Sequence, residues 1–297
     1  MTQIDLETEK QHEPYLASFR ERGGELSRRE PGWLTAMRQE AIEAFADLGF
    51  PSAHDEDWRY TNVAPITRIP FVAARPESIH CAVELLQTTL WKDPVAARLV
   101  FINGHYSPQF SLLSNAARGL EVGSLAASLH DGSASAGGWL QIYLGRTADH
   151  RRHPFVALNS ALWEDGAAVR IPQGMVVPEP IHLVFVSAAN DEPLVSYPRT
   201  LVVAERDSQA TVIESYIGLG GGGLEGGVCF SNAVSEIIVA ESAVVDHYKL
   251  QSENARSFHI GTVQAYQGRS ARFASTSLAL GAKLARNEMN ALLDGEG

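Results

Sequence analysis

Cysteine is nearly absent from this chain of 297 residues, which has only Cys81 and Cys229. The two stand far apart, so neither a disulfide framework nor a CxxC metal or redox motif is available. Both read as small buried apolar residues. Basic residues are scarce too: Lys and Arg total 24 against 35 Asp and Glu, a formal net charge of −11, and they are scattered. A nucleic-acid surface must neutralise phosphates, and this chain has little to do it with. Nowhere do about 18 uninterrupted apolar residues occur, the length a helix needs to span a bilayer. The opening MTQIDLETEKQHEPYL is charged and lacks the apolar centre of a signal peptide, which predicts a cytoplasmic chain with no membrane contact. No nucleophile stands with a base and an orienting partner, so the residues offer no catalytic constellation.

What remains is enough for a sizeable core, with 45% hydrophobic and 20% charged residues. The length permits one large domain or two, and a solenoid can exceed the usual compact size because its core grows in one dimension. The first third is helical in pattern. Leu34, Met37, Ala41, Phe45 and Leu48 recur at spacings of three and four, with Pro31 suited to the first turn and Gly49 and Pro51 to a stop. A second helix is expected after Ser78, with Ile79, Ala82, Val83, Leu86 and Leu90 on its apolar face. Between them DEDWRYTNVAPI, from Asp55 to Ile66, predicts an irregular segment anchored by its aromatics. LVFING reads as a short strand ending in a turn, GSLAASL as a weak helix, and Asp131 to Gly138 as a flexible linker. The division expected is therefore 1–150, largely helical, and 151–297, a β core. HPFVALNSALWEDG carries Phe155, Leu158 and Leu162 at helical spacing, ended by Gly166.

From Ala167 onwards the texture is β: apolar runs alternate and are broken by short polar turns. Ser208, Ser242 and Ser270 each follow a charged residue and precede a new strand, a weak repeat of uneven spacing. A parallel β-helix with variable turns and a strand-swapping β-sandwich both produce such a pattern, and the β-helix is preferred.

Several local signals resemble chemistry. Gly218, Gly220 and Gly223 match GxGxxG after a strand, but no amphipathic helix follows, so a loop is the reading. His150 and His153 form HxxH without a third metal ligand nearby. His247 and His259, with Asp246, lie in the β region and read as structural or interface residues. Arg286, Asn287, Glu288 and Asn290 form the densest polar group, either a hydrogen-bonded ladder between strands or a subunit contact.

In combination, DEDWRYTN, HPFVALNSALWEDG, IPQGMVVPEPIHLVFVS, YPRTLVVAERDSQATVIESY, FSNAVSEIIVAESAVVDHYKLQ and GAKLARNEMNALLDGEG resemble the SufB/SufD family of iron–sulfur cluster assembly proteins, the SufD side in particular. The resemblance implies a helical N-terminal region leading into a right-handed parallel β-helix. It also implies a non-catalytic scaffold that pairs with SufB and, with the SufC ATPase, builds nascent clusters. On that reading the chain binds no cofactor stably, the iron–sulfur cluster is handled transiently by the complex, and flavin is unassigned. Family members continue past DGEG, so the chain reads as truncated or as a short relative that has lost the partner-gripping end. The histidine that SufD-type proteins contribute to the cluster site would lie beyond Gly297, and a cut last coil predicts self-association. The alternative is a parallel β-helix enzyme acting on an acidic polysaccharide, which needs clustered Asp or Lys/Arg on adjacent coils.

Overall fold

The structure, a computed structural model, describes residues 3–75, 93–113, 119–130, 134–189, 192–219 and 227–295. The helix expected over Ile79 to Leu90, Cys81, and Gly220 and Gly223 lie outside the described residues.

Helix α1 spans Gln3–Leu26 and α2 spans Gly32–Leu48. Of the apolar spacing read from the sequence, α2 buries Leu34, Ala41 and Phe45 completely and Met37 in part, while Leu48 in the last turn is exposed. Pro31 precedes the first turn as N-cap, and Gly49 ends the helix at φ +69, its N–H donating to the Phe45 carbonyl. Tyr15 of α1 packs edge-on against Phe45 and Phe50. Arg38 is buried, which a helix tolerates only when the guanidinium is fully used. It pairs with Glu30 at 2.8 Å, donates to the Ala161 carbonyl and lies 4.5 Å over the Trp163 ring.

The expected irregular segment is a single 3-10 turn, Glu56–Trp58, with Trp58 buried against Phe155 at 5.1 Å. After the short helix α3 (Ala64–Thr67) come strands β1 (Val72–Ala73), β2 (Ala97–Ile102), β3 (His105–Tyr106), β4 (Leu112–Leu113) and β5 (Glu121–Ser124). Helices α4 (Leu125–His130), α5 (Ala134–Tyr143) and α6 (Pro154–Leu162) follow. The linker expected over Asp131 to Gly138 is overturned from Ala134 on, where α5 begins. Burial of Trp139 and Leu140 outweighs the cost of about 1 kcal/mol for a glycine inside a helix. Gly166 does not end α6. The helix stops at Leu162 because the buried Trp163 is already extended, and Gly166 opens β6.

From there strands alternate between two sheets, except that β8 and β9 both lie along β11 in one of them: β6 (Gly166–Ile171), β7 (Ile181–Ser187), β8 (Leu194–Ser196), β9 (Arg199–Ala204), β10 (Gln209–Gly218), β11 (Cys229–Val239), β12 (Val244–Ser252), β13 (Phe258–Gln267), β14 (Arg272–Ala279) and β15 (Leu284–Leu293). One sheet runs β6-β9-β11-β13-β15 and the other β2-β7-β10-β12-β14, every neighbour in these rows being parallel. This is a parallel β-solenoid preceded by a helical region. Cys229 is buried in it. Strands β2 and β5, which precede residue 150, belong to the same two sheets.

The turn repeat is real but shifted in its first member. The residues in the left-handed region are Asp207 (φ +58), Ser242 (φ +59) and Ser270 (φ +54), so Asp207, not Ser208, is the counterpart of the two serines. Register requires this. Ala204, Val239 and Gln267 pair across the rungs, as do Gln209, Val244 and Arg272, so each corner is the same five-residue step. Ser208 instead donates its hydroxyl to the Glu205 carbonyl at 2.6 Å. The constant corner lies on one side of the solenoid, and the opposite connections vary in length. The overall spacing is therefore uneven.

The helical layer lies on the outer face of the first sheet, where Leu201, Val203, Phe230, Ile238, Phe258 and Ile260 join Phe45, Trp58, Phe155 and Leu158 in one core cluster. Its polar fastening is Glu236 on β11. Fully buried, this carboxylate pairs with Arg199 of β9 at 2.5 Å and accepts from the N–H groups of Gly145, Thr147 and Ala148. Burial opposes its ionisation, but Arg199 and those three N–H groups more than offset it and hold the carboxyl below its usual range. Arg199 also donates to Asn159 and Ser160 of α6, and Asn159 reaches the Pro198 and Asn232 carbonyls. Arg199→Met strands a buried carboxylate, so urea unfolding should show a loss of about 3–5 kcal/mol. The double variant Arg199→Met/Glu236→Met should recover much of it. A loss below about 1 kcal/mol in the single variant would contradict this account of the fastening.

Candidate functional site

The interior of the solenoid changes character along its axis. In the early rungs it is apolar, with Leu99, Leu183, Val202 and Ile237 inaccessible. The aromatic rings of Phe101, Phe185 and Tyr216 stack at 5.2 and 5.0 Å across β2, β7 and β10. In the later rungs the same inward positions carry ionisable groups. The period of two places Val245, His247, Lys249 and Gln251 of β12 inside, and register sets Lys249 beside Glu214 of β10.

These groups answer one another. Glu214 accepts from Ser235 at 2.7 Å and from the Tyr216 hydroxyl at 3.0 Å, with His247 Nε2 3.9 Å away. Burial raises the carboxyl, but the nearby His247, the Lys249 ammonium and the Ser235 hydroxyl prevail and bring its pKa down to about 2. Glu253 accepts from Ser231 at 2.5 Å and from Gln251 at 3.0 Å. His259 Nδ1 lies 2.8 Å from Glu253 but off the line of a hydrogen bond. Burial pushes His259 down, partly offset by Glu253. Lys249 Nζ donates to Asn287 Oδ1 at 2.8 Å and sits 4.9 Å from the Tyr216 ring centre. Burial lowers its pKa to about 8 against the pull of Glu214 and Glu253. Lys249 thus stands as one buried ammonium between two buried carboxylates, Glu214 and Glu253, whose remaining lone pairs are met by hydroxyl and amide donors.

Of the residues singled out in the sequence, His247 and His259 are both inside this network, and His247 also meets Ser275 at 2.9 Å. Asp246 faces outward and pairs with Arg272 at 3.3 Å. On β15 the period of two separates the polar group. Asn287 faces inward to Lys249, while Arg286 and Glu288 pair at 2.6 Å on the outer face and Asn290 is exposed. Arg286 lies 4.0 Å over the Trp58 ring and donates to Thr61 at 2.9 Å, so DEDWRYTN and ARNEMN touch across 225 residues of sequence. His150 is buried with Glu40 at 3.8 Å, and His153 is the N-cap of α6. Among the described residues no group of three or more His, Cys, Asp or Glu is arranged to hold a metal ion. Glu214, Glu236, Lys249, Glu253 and Arg199 escaped the sequence reading. The available signal was an ionisable residue at an inward position of an alternating strand.

Comparison with known proteins assigns this architecture. Residues 9–183 match the profile described as SufBD protein N-terminal region, and residues 185–297 match that of the SUF system FeS cluster assembly SufBD core domain. The chain belongs to the SufB/SufD family. It is 33% identical over 276 residues to an iron–sulfur cluster assembly SufBD family protein of Synechocystis, which covers 89% of this chain and 57% of that protein. It is also similar to the iron–sulfur cluster assembly proteins SufD of Bacillus subtilis (26% identical, 78% and 50% covered) and of Escherichia coli (25%, 87% and 56%). The chain thus spans between 50% and 57% of the length of these three relatives. The two SufBD profiles meet within β7, where the outer strand of the N-terminal region, β2, is already paired to the solenoid.

Two predictions follow from the interior and its wall. A Cβ at Gly261 would run into Lys249 Nζ and come within 2.8 Å of His259 Nε2 and 3.2 Å of Asn287 Oδ1. Gly261→Ala should therefore lower stability by about 1–3 kcal/mol in denaturant unfolding, and Gly261→Ala/Lys249→Ala should not add to the Lys249→Ala loss. Fully additive losses would sink the steric argument. On β7, His182 bonds Ser215 at 2.9 Å, and burial, helped by the charge of Arg98, lowers its pKa to about 4. Between that value and 6.5 the unfolded chain holds a proton that the folded chain lacks, so stability falls as pH falls through this window. From pH 6.5 to 5 the His182 contribution is about 2 kcal/mol, and its imidazole should remain neutral by NMR at pH 5. A midpoint near 6.5 would refute it.

Proposed function

We propose that this chain is a non-catalytic scaffold of iron–sulfur cluster assembly that pairs through its solenoid with SufB and works with the SufC ATPase. The observation carrying this reading is the match of residues 185–297 to the SufBD core domain on strands that stack as a parallel solenoid. SufB is the partner that family membership suggests.

The cluster is cargo of the complex, and the subunit holds no stable cofactor of its own, since two distant cysteines fall short of a thiolate set. Assembly takes place in the cytoplasm. The polysaccharide enzyme finds no support, because a polymer must reach its acids and Glu214, Glu236 and Glu253 are buried. The test is co-expression with SufB and SufC of the same organism, followed by size-exclusion chromatography. The chain should elute with both while circular dichroism shows it folded. A folded chain that never co-elutes would overturn the proposal.

A further inference from the structure

Helix α6 begins with donors that nothing in the fold answers. His153 is its N-cap, but the side chain caps no N–H, and Pro154 fills the first helical position without an N–H of its own. The first helical bond runs from the Ala157 N–H to the His153 carbonyl, and the N–H groups of Phe155 and Val156 meet no acceptor among the described residues. An Asn, Asp, Ser or Thr at the N-cap would have satisfied one of them. His153, Pro154, Phe155 and Val156 line a groove of about 590 Å³ between α6, the Glu56–Trp58 turn and the outer face of β15.

The floor of the groove supplies a third free donor. Val156 packs on Val234 of β11 together with Ala148, and Val234 is paired in register with Thr262 of β13. Thr262 therefore lies one strand spacing, about 5 Å, from the seat of the first helical turn. It is only 2% exposed, it lines the groove, and its hydroxyl makes no hydrogen bond among the described residues. A buried hydroxyl left alone costs free energy, and one beside two free N–H groups completes a donor set that lacks only its acceptor. Glu288, opposite Thr262 on the next rung, cannot serve, because Arg286 holds it at 2.6 Å. Asp55 is likewise engaged, accepting from the Ser52 N–H and hydroxyl. Glu56 and Asp57 are exposed at the rim. They repel a doubly charged anion about twice as strongly as a singly charged one, which favours a carboxylate over a phosphate.

We propose that this groove binds a carboxylate, one oxygen taking the Phe155 and Val156 N–H groups and the other the Thr262 hydroxyl. The partial positive charge of the helix N-terminus favours the anion. The groove is larger than a carboxylate, so it admits either a small organic acid or the terminal carboxylate of a peptide. The site stands on the geometry of α6 and β13 and does not rest on assembly with SufB.

The test is an amide NMR titration of the whole isotope-labelled chain with sodium acetate, sodium phosphate, sodium chloride and two N-acetylated alanine pentapeptides, one with a free and one with an amidated C-terminus. Acetate and the free-terminus peptide should shift the Phe155 and Val156 signals saturably, phosphate more weakly, and the amidated peptide not at all. A free-terminus peptide that binds tighter than acetate identifies a chain terminus as the ligand, and one that binds equally or more weakly identifies a small acid. Thr262→Val should weaken acetate about threefold to tenfold, whereas Thr262→Ser, which keeps the hydroxyl, should bind as the unmodified chain does. His153→Asp hands the helix a carboxylate of its own and should abolish acetate binding. Signals that stay in place in acetate, or that move alike in sodium chloride and so report an adventitious ion only, overturn the proposal. So does phosphate that outcompetes acetate, or a folded Thr262→Val chain that binds acetate unchanged.

Discussion

In-register parallel stacking governs this molecule. Once Gln209, Val244 and Arg272 are aligned in successive rungs, every inward residue is met by the inward residue of the rung before and after it. Packing is then decided rung by rung, as in any one-dimensional repeat. The corner makes the register possible. A single left-handed residue at Asp207, Ser242 and Ser270 turns the chain from one sheet to the other in the same five-residue step, and Gly174 (φ +71) does so at the preceding rung. Asp and Ser sustain that conformation because their short polar side chains hydrogen-bond locally.

Stacking also explains why the interior accepts charge. An isolated buried lysine is costly, but in a register-locked column Lys249 has Glu214 beside it, the Tyr216 ring against it and Asn287 on β15 to receive a hydrogen bond. The column therefore changes from stacked aromatics to hydrogen-bonded ionisable groups. Such a network is demanding of geometry. It fixes β10, β11, β12, β13 and β15 relative to one another more narrowly than apolar packing would.

The helical region is fastened to this frame at two places that sequence separates widely. Glu236 receives three backbone N–H groups of the loop before α6 and the guanidinium of Arg199, and Arg286 of β15 covers Trp58. The DEDWRYTN turn consequently rests on the later rungs of the solenoid.

Much of the fold is written locally. The apolar spacing of Leu34, Ala41 and Phe45 gives α2, the alternation in VVDHYKLQ and SEIIV gives strands, and the family signatures run in order along the chain. These are short-range properties, set by the 3.6 and 2.0 periods of the backbone. Tertiary structure decided what those periods leave open. It placed the corner at Asp207 and not Ser208, because register with β12 and β14 selects the turn residue. It made a helix of the glycine-containing stretch before Trp139, because burial outweighed propensity. It put His247 and His259, read from the sequence as structural or interface residues, into an interior network with Lys249, Glu214 and Glu253, because an alternating pattern says that two faces exist but not which one is enclosed. That choice belongs to strands dozens of residues away, whose stacking alone determines where the inside of the solenoid is.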